Sequence, residues 1–267
     1  MDHPVEHNPA HNSQGTLIIS NVSKEYTTNT KTLGALAPIN LEVEDGEFVV
    51  FVGPSGCGKS TLLNMIAGFE APSSGSITLG GKPVTKPGRD RLMMFQEHAL
   101  FPWLNVLSNV MFGLPRNWLK PRKRRDRALA LLKMVHLEQF AKSYVHELSG
   151  GMKQRAALAR ALAPNPKLLL IDEPFPSLDT VTRLKLYAEL QEIHTATNKT
   201  IIFVTHDMQE AACLGDRVLV FSGRPGRVIE EIRVDLPRPR DFNDPKVTEI
   251  AVRVLARLQA ADKEPKQ

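Results

Sequence analysis

The stretch FVVFVGPSGCGKST, residues 48–61, places a continuous apolar run directly before a glycine-rich segment. A short apolar run bounded by turn residues is typical of a strand that is buried on both faces. Glycines let the following backbone wrap closely around an anion, because they have no Cβ and adopt dihedral angles that other residues avoid. The stretch therefore predicts a buried strand, a phosphate-binding loop and a helix that starts where the loop ends.

The glycine-rich segment matches the P-loop pattern G-x-x-x-x-G-K-[ST]. The residues expected to surround the phosphates of a nucleotide are Gly53, Pro54, Ser55, Gly56, Cys57, Gly58, Lys59, Ser60 and Thr61. In this interpretation Lys59 supplies positive charge to the β- and γ-phosphates, and the Ser60 hydroxyl binds Mg²⁺. The alternative is a glycine-rich turn without a ligand. The position of the pattern between an apolar strand and a helix favours the P-loop.

The composition is that of a globular protein. The chain has 267 residues, of which 42% are hydrophobic, enough for the core of one large domain or two small ones. No apolar run approaches the roughly 18 residues that a membrane helix needs, and the polar residues 1–14 lack a signal-peptide core, so we expect a cytosolic chain with a disordered N-terminal tail. The two cysteines lack metal-ligand spacing, and the net charge of +5 permits an anionic partner without requiring one.

Short β-rich runs alternate with helical segments along the chain. Strands are predicted within 16–52, which opens with 16–20 and continues with 39–52, and at 92–96, 167–173, 200–206, 217–221 and 227–236. Within 39–52, Asp45-Gly46 is a signal for a hairpin turn. The rest of 62–160 is predicted to be mostly helical, as is 180–197. This order predicts an α/β fold in which helices cover a sheet, and no internal repeat argues for a second nucleotide domain.

The last segment, residues 241–267, is predicted to contain a helix that begins at Asp244-Pro245. Its apolar stripe consists of Val247, Ile250, Ala251, Val254, Leu255 and Leu258. We expect this stripe to dock on the domain. A role in dimer contacts or in regulation is the alternative.

Two further strands end in residues suited to phosphate chemistry. LLLIDEP, residues 168–174, ends in two carboxylates that alternate in direction, so they have different roles: Asp172 binds Mg²⁺ beside Ser60, and Glu173 is a general base for water. TIIFVTHD, residues 200–207, delivers His206 to the same edge of a parallel sheet, where it orients Glu173 or the water. The alternatives are solvated carboxylates and a structural histidine.

A second candidate anion site lies in LSGGMKQR, residues 148–155. Ser149, Gly150 and Gly151 precede a basic helix, whose N-terminus offers free N–H groups and the positive end of the helix dipole. Pro164 and Pro166 end that helix.

The order of the P-loop, LSGGMKQR, LLLIDE, SLD and a strand ending in histidine resembles the ATP-binding cassette (ABC) ATPases over roughly residues 16–235. The resemblance implies a P-loop NTPase fold with a RecA-like, mostly parallel sheet, a small antiparallel β-subdomain and an inserted helical subdomain at about 97–163. The nucleotide-binding domain would span residues 15–240. ATP and Mg²⁺ would be its ligands.

The resemblance also implies roles for particular residues. Two cassettes pair head to tail, so that Ser149, Gly150 and Gly151 contact the ATP held by the partner. Tyr26 lies where family members stack an aromatic ring on adenine, and Gln96 lies where they place a glutamine that meets Mg²⁺ and senses the γ-phosphate. Ser177, Leu178 and Asp179 match a loop that crosses the dimer interface. Pro176 departs from the small residue that many relatives have there.

The implied partners are a second cassette, a transmembrane permease and, indirectly, a solute-binding protein. LFPW at 100–103 places Phe101 and Trp103 where importers grip the permease, although a helical core is the alternative for Trp103. FQEHALFPW, SGRPGRV and VDLPRPR are similar to the nitrate, sulfonate and taurine importer branch, which implies a peripheral location at the cytoplasmic face of the membrane. No nucleic-acid partner is expected. The basic run LKPRKRRDR, 119–127, supports an alternative ATPase that acts on nucleic acid or ribosomes, and a non-catalytic ATP-binding scaffold is a third hypothesis.

Overall fold

The computed structural model describes residues 16–27, 32–95, 99–115, 120–174 and 179–263. Its strands are β1 (Leu17–Thr27), β2 (Thr32–Val43), β3 (Phe48–Val52), β4 (Ser74–Leu79), β5 (Lys82–Pro83), β6 (Arg91–Met94), β7 (Leu168–Asp172), β8 (Thr200–Thr205), β9 (Arg217–Phe221) and β10 (Val228–Arg233). Its α-helices are α1 (Lys59–Ala67), α2 (Val106–Gly113), α3 (Pro121–Met134), α4 (Gly150–Leu162), α5 (Thr180–Thr197), α6 (Met208–Leu214) and α7 (Pro245–Lys263). The predicted tail at 1–14 lies outside the described residues.

The larger sheet has the strand order β10-β9-β3-β8-β7-β6. The pairs β6–β7, β7–β8, β8–β3 and β3–β9 are parallel, and only β10 runs antiparallel to its neighbour. Successive residues of β3 belong to two different cores: Val50 packs with the helical insertion, whereas Phe51 packs with α1 and the smaller sheet. A strand covered on both faces must be apolar throughout, which explains the continuous run FVVFV. The predicted mostly parallel sheet is confirmed.

The smaller sheet, with the order β2-β1-β4-β5, is antiparallel. It confirms the expected β-subdomain but corrects one detail of the sequence analysis. Strands β4 and β5 lie inside the region predicted to be mostly helical. In β4 the only buried side chains are Ile77 and Leu79, a pattern too short to distinguish a strand from a loop.

Asp45-Gly46 is a turn but does not make a hairpin, so that prediction is wrong. Strand β2 before it pairs in the smaller sheet, and β3 after it pairs in the larger one. The N–H of Gly46 donates to Thr200 Oγ1 at 2.9 Å, and its carbonyl contacts His194 Nε2 at 2.9 Å. These partners come from distant parts of the chain, so local turn chemistry did not reveal them.

The helices α2, α3 and α4 pack on one another and form the helical insertion between β6 and β7. Asn109 of α2 is completely buried. Its side chain accepts from the N–H of Phe101 at 2.8 Å and donates to the carbonyls of Phe101 and Leu104 at 3.1 Å. The loop that contains Phe101 and Trp103 is therefore held in one conformation by a buried amide.

The C-terminal helix α7 begins at Pro245 as predicted, and Val247, Ala251 and Val254 of its stripe are buried. Leu255 is the exception, because it is exposed. The segment before α7 is anchored by Arg240, whose buried guanidinium donates to the carbonyl of Val234 at 3.2 Å and pairs with Asp216 at 3.3 Å. No helix among the described residues combines the length and the apolarity that crossing a membrane requires.

The buried imidazole of His194 predicts an acid-dependent loss of stability. Burial, with the nearby Arg238, lowers the pKa of His194 from its usual 6.5. Below about that pH the unfolded chain therefore binds more protons than the folded chain does, and the free energy of unfolding falls as the pH drops. We expect His194→Gln, whose amide can still donate to Gly46, to flatten this dependence between about pH 7.5 and 5.5 in urea unfolding.

His146→Gln is the matched control, because His146 is exposed. Parallel pH profiles for the wild type and His194→Gln would contradict the assignment.

Candidate functional site

Three parallel strands of the larger sheet end side by side. Val52, the last residue of β3, pairs with Thr205, the last residue of β8. Asp172, the last residue of β7, pairs with Val204. The segments that follow these strands therefore start at the same edge of the sheet, and their starting positions differ by at most one residue. They carry the P-loop, the Asp172-Glu173 pair and His206.

The glycines of the P-loop are required by close contacts and by their backbone angles. Gly56 and Gly58 have φ angles of 76° and 100°. A Cβ on Gly58 would lie 2.7 Å from Leu36 Cδ2, and a Cβ on Gly53 would lie 2.7 Å from the carbonyl oxygen of Phe221. Gly58 also precedes α1 without any side-chain cap, so the first N–H groups of the helix remain available to an anion.

Lys59 is only 4% exposed, and its ammonium lies inside the loop. It donates to the carbonyls of Gly53 at 2.8 Å and Pro54 at 2.9 Å, and it lies 3.7 Å from Cys57 Sγ. Cys57 is buried beside it, whereas Ser55, Gly56 and Ser60 are exposed. The loop thus concentrates a cation, free N–H groups and a hydroxyl at one point, as the pattern predicts.

Ser60 and Asp172 form the part of the site that fits Mg²⁺. Ser60 Oγ donates to Asp172 Oδ1 at 3.0 Å. Burial raises the pKa of the Asp172 carboxyl, and the hydrogen bond from Ser60 opposes this shift. A hydroxyl and a single partly buried carboxylate suit Mg²⁺, which prefers oxygen ligands and takes the remainder from water and phosphates.

Glu173 and His206 meet at the mouth of the site. Glu173 Oε2 lies 3.1 Å from His206 Nδ1. Glu173 has a φ of 38°, an uncommon value for a residue with a side chain, and its N–H donates to the carbonyl of Val204 at 3.0 Å. The left-handed backbone turns the Glu173 side chain away from the path of β7 and towards the end of β8.

A buried polar network beneath His206 escaped the sequence analysis. Thr205 Oγ1 donates to Glu210 at 2.5 Å, the Tyr187 hydroxyl donates to the other oxygen of the same carboxyl, and burial raises the pKa of Glu210. The N–H of Asp207 donates to Thr205 Oγ1 at 3.0 Å. In the sequence, Asp207 and Glu210 have the spacing of a helix capping box. Only the fold turns Glu210 towards the strand that carries His206.

The segment LSGGMKQR, residues 148–155, which we call the signature segment, begins α4 as predicted. Ser149 caps the helix, and its hydroxyl accepts from the N–H of Met152 at 3.3 Å. Ser149 and Gly150 are exposed, whereas Gly151 is buried. A Cβ on Gly151 would lie 2.6 Å from Thr182 Cγ2.

Asp179 caps α5, where its carboxylate accepts from the N–H of Thr182 at 3.0 Å. Hydrogen bonds from Thr182 lower the pKa of Asp179. Thr182 therefore contacts both Asp179 and Gly151, and it brings the start of α5 against the signature helix. Gln96, Pro176, Ser177 and Leu178 lie outside the described residues, so their roles stay predictions.

Tyr26 is 40% exposed at the end of β1. It pairs with Leu33 of β2, and two residues further along β2 Ala35 and Leu36 approach Gly58 of the P-loop. The pair of strands that carries Tyr26 therefore borders the P-loop, and stacking of the Tyr26 ring on adenine stays a prediction. Its hydroxyl donates to Glu70 at 3.1 Å.

One edge of a parallel sheet carries a P-loop, an Asp-Glu pair at the end of β7 and a histidine at the end of β8. This combination defines a nucleotide-binding α/β protein of the P-loop class. Residues 36–176 match the family model described as ABC transporter. The chain belongs to this family, and the predicted resemblance is confirmed.

Named relatives and solved structures agree with this assignment. An aliphatic sulfonates import ATP-binding protein of Bacillus cereus is 43% identical over 91% of this chain and 96% of its own length. A nitrate import ATP-binding protein of Synechocystis is 45% identical over 83% of each chain. A dimeric ATP-binding cassette in a post-hydrolysis state, bound to ADP and Pi, superposes with a TM-score of 0.72 and 35% identity, covering 83% of this chain and all of that one.

The contact between Glu173 and His206 predicts the effect of Glu173→Gln. Gln keeps the shape of the side chain but cannot accept a proton, so we expect ATP binding and dimerisation to persist while turnover falls by about 10²–10⁴-fold. Phosphate release measured alongside equilibrium ATP binding separates the two effects. Near-normal hydrolysis would exclude Glu173 as the base.

The exposed signature serine predicts a different effect for Ser149→Arg. The Ser149 hydroxyl caps α4, whereas the P-loop leads into α1. The monomer should therefore bind ATP with unchanged affinity, whereas ATP-dependent dimerisation and hydrolysis should be lost. Light scattering with ATP, together with turnover, tests this. Retained hydrolysis would reject the head-to-tail arrangement.

Proposed function

We propose that the chain is the ATP-hydrolysing subunit of an importer and that it works with a separate permease. The observation that carries this proposal is the convergence of Lys59, Ser60, Asp172, Glu173 and His206 at one edge of the larger sheet. The pairs Ser60–Asp172 and Glu173–His206 lie 3.0 Å and 3.1 Å apart. The Ser60–Asp172 pair suits a phosphate-bound cation, and the Glu173–His206 pair suits a water molecule.

The P-loop N–H groups and Lys59 hold the phosphates of ATP. Lys59 exchanges one of its two carbonyl contacts for a phosphate oxygen as ATP enters. Ser60 and Asp172 would hold Mg²⁺, which would supply positive charge to the phosphates. Glu173 accepts a proton from the attacking water, and His206 fixes the orientation of the Glu173 carboxylate. Tyr26 stacks on the adenine.

The dimeric relative supports pairing of two cassettes. Ser149, Gly150 and Gly151 of one chain then contact the γ-phosphate bound by the other, and Asp179 lies at the same interface. Each γ-phosphate links both chains, so its loss on hydrolysis removes contacts across the interface and opens the dimer.

A groove of about 1040 Å³ between the larger sheet and the helical insertion is the proposed docking site for the permease. Phe101 and Phe112 line the groove, and Trp103 lies beside it against Phe101; Trp103 is 70% and Phe112 is 65% exposed. Phe101 contacts both rings, with centroids 5.3 Å and 4.6 Å away. Arg160 lies over the Phe101 ring at 5.5 Å. Exposed aromatics around a groove are typical of a protein interface, and the exposure of Trp103 rules against a core role.

The relatives named for sulfonate and nitrate import support uptake of a small anionic or sulfur- or nitrogen-containing solute. We assign the choice of solute to the permease and to a solute-binding protein on the other side of the membrane. This chain would then sit peripherally at the cytoplasmic face of the membrane.

The alternatives have weaker support. Action on nucleic acid rests on the exposed basic residues of α3, which a solvated helix face explains equally well. A non-catalytic scaffold would be expected to lack the base or the histidine, whereas Glu173 and His206 are present and in contact.

The permease groove predicts the effect of Trp103→Ala and Phe112→Ala. Each removes an exposed ring, so folding and ATP binding should persist, while affinity for the permease should fall by about 30-fold, corresponding to about 2 kcal/mol for an interface aromatic. The measurement is co-isolation from native membranes in mild detergent, with mass spectrometry of the bound chains.

Val252→Ala is the control, because Val252 is an exposed apolar residue on α7. A polytopic membrane protein retained by this variant and lost from the groove variants supports the proposal. Ribosomes or DNA-binding proteins in its place would favour the nucleic-acid alternative.

A further inference from the structure

The turn between β9 and β10 packs against the outer side of the P-loop. Its sequence, SGRPGRV, carried only a family likeness, and nothing in the proposed mechanism uses it. Three residues in and beside this turn contact the loop: Phe221, Arg224 and Gly226. A Cβ on Gly53 would lie 2.9 Å from Phe221 Cβ, and a Cβ on Gly226 would lie 1.8 Å from the carbonyl oxygen of Cys57.

Gly226 is held in place by the strand that also touches Gly58. Its N–H donates to the carbonyl of Ala35 at 3.0 Å, and its carbonyl accepts from the N–H of Ala37 at 2.9 Å. Leu36 stands between these two residues, and its Cδ2 would lie 2.7 Å from a Cβ on Gly58 and 3.1 Å from a Cβ on Gly226. Strand β2 therefore borders both the turn and the P-loop, so a shift of the turn would displace the loop.

Arg224 makes the polar contact between the turn and the loop. Its Nε donates to the carbonyl of Gly56 at 3.2 Å. Carbonyl oxygens that faced into an anion-binding loop would repel a phosphate. The carbonyls of Gly53 and Pro54 point at the Lys59 ammonium, whose positive charge offsets this repulsion, and the carbonyl of Gly56 accepts from Arg224.

The contact also sets the direction of an N–H group. In a trans peptide the carbonyl oxygen and the following N–H point to opposite sides. When Arg224 draws the Gly56 oxygen outwards, the N–H of Cys57 points into the loop, where it donates to the carbonyl of Pro54 at a long N···O distance of 3.4 Å. This N–H belongs to the set that surrounds a phosphate in a P-loop.

We propose that Arg224 is a positioning residue for nucleotide binding, supported by Gly226. It holds the Gly56–Cys57 peptide with its oxygen outwards and its N–H inwards, and it thereby sets the affinity for the polyphosphate of ATP. This inference rests on the proposed function, because it takes ATP as the ligand of the P-loop. It assigns Arg224 no part in the attack of water, so it predicts an effect on affinity rather than on the rate at saturation.

The test compares Arg224→Ala with Arg224→Lys in equilibrium ATP binding and steady-state hydrolysis. We expect Arg224→Ala to raise Kd and KM by about 5- to 10-fold, as for one charged hydrogen bond at an exposed position, with kcat within about twofold of the wild type. Arg224→Lys keeps the charge and a donor and should recover part of the affinity. Arg233→Ala, an exposed arginine on β10, should match the wild type.

A second pair of variants tests the packing contact. Gly226→Ala should weaken ATP binding because of the backbone clash, whereas Gly223→Ala in the same turn should not, since a Cβ there meets nothing within 4 Å. Thermal unfolding without nucleotide is recorded for every variant. If Gly226→Ala does not fold, the Arg224 pair decides the outcome.

The inference is overturned if Arg224→Ala binds ATP within twofold of the wild type, or if it lowers kcat at unchanged Kd. It is also overturned if lower thermal stability is its only defect, because that identifies a purely structural arginine. A wild-type chain that fails to bind ATP would instead reject the proposed function itself.

Discussion

The register of three parallel strands is the constraint on which the site depends. Val52 lies beside Thr205, and Asp172 lies beside Val204, so the loops that follow β3, β7 and β8 start at the same level. Each strand is buried on both faces, and a slip of one residue would exchange the side chains of the two cores. The apolar packing that stabilises the sheet thus also sets the distances between the phosphate loop, the carboxylates and the histidine.

The functional groups at this edge depend on contacts with the surrounding structure, which hold them in conformations that they would not adopt alone. Glu173 has a left-handed backbone, and the ammonium of Lys59 is buried among carbonyls. The loop after β8 is tied to Glu210 through Thr205. The P-loop glycines sit against Leu36 and Phe221, which belong to strands of different sheets. A site that binds a polyanion is in this way assembled from both sheets, and its precision depends on how they pack.

Much of the fold could be predicted because it is encoded in local patterns. The strands β3, β7, β8 and β9 are continuous apolar runs, and α4, α5 and α7 begin at recognisable caps. The patterns failed where pairing is decided at a distance. The apolar alternation of β4 is too short to identify, and the turn at Asp45-Gly46 leads from one sheet to the other instead of joining a hairpin. For the candidate site, the motifs pointed to the P-loop, Asp172, Glu173 and His206, but not to Glu210 and Arg224, because the partners of these two are far away in the chain.

The sequence by itself determined the chemistry: which residues carry positive charge, hydroxyl and carboxylate groups, and where glycine frees the backbone. These properties belong to single residues and short spacings, so they can be identified without a fold. Only the tertiary structure decided which groups meet. It placed Glu173 against His206, Thr182 against the signature glycine Gly151, and Arg224 against the carbonyl of Gly56. Each of these contacts joins segments at least 30 residues apart, and they form because burial of apolar strands and helices, which is non-directional, brings the segments together.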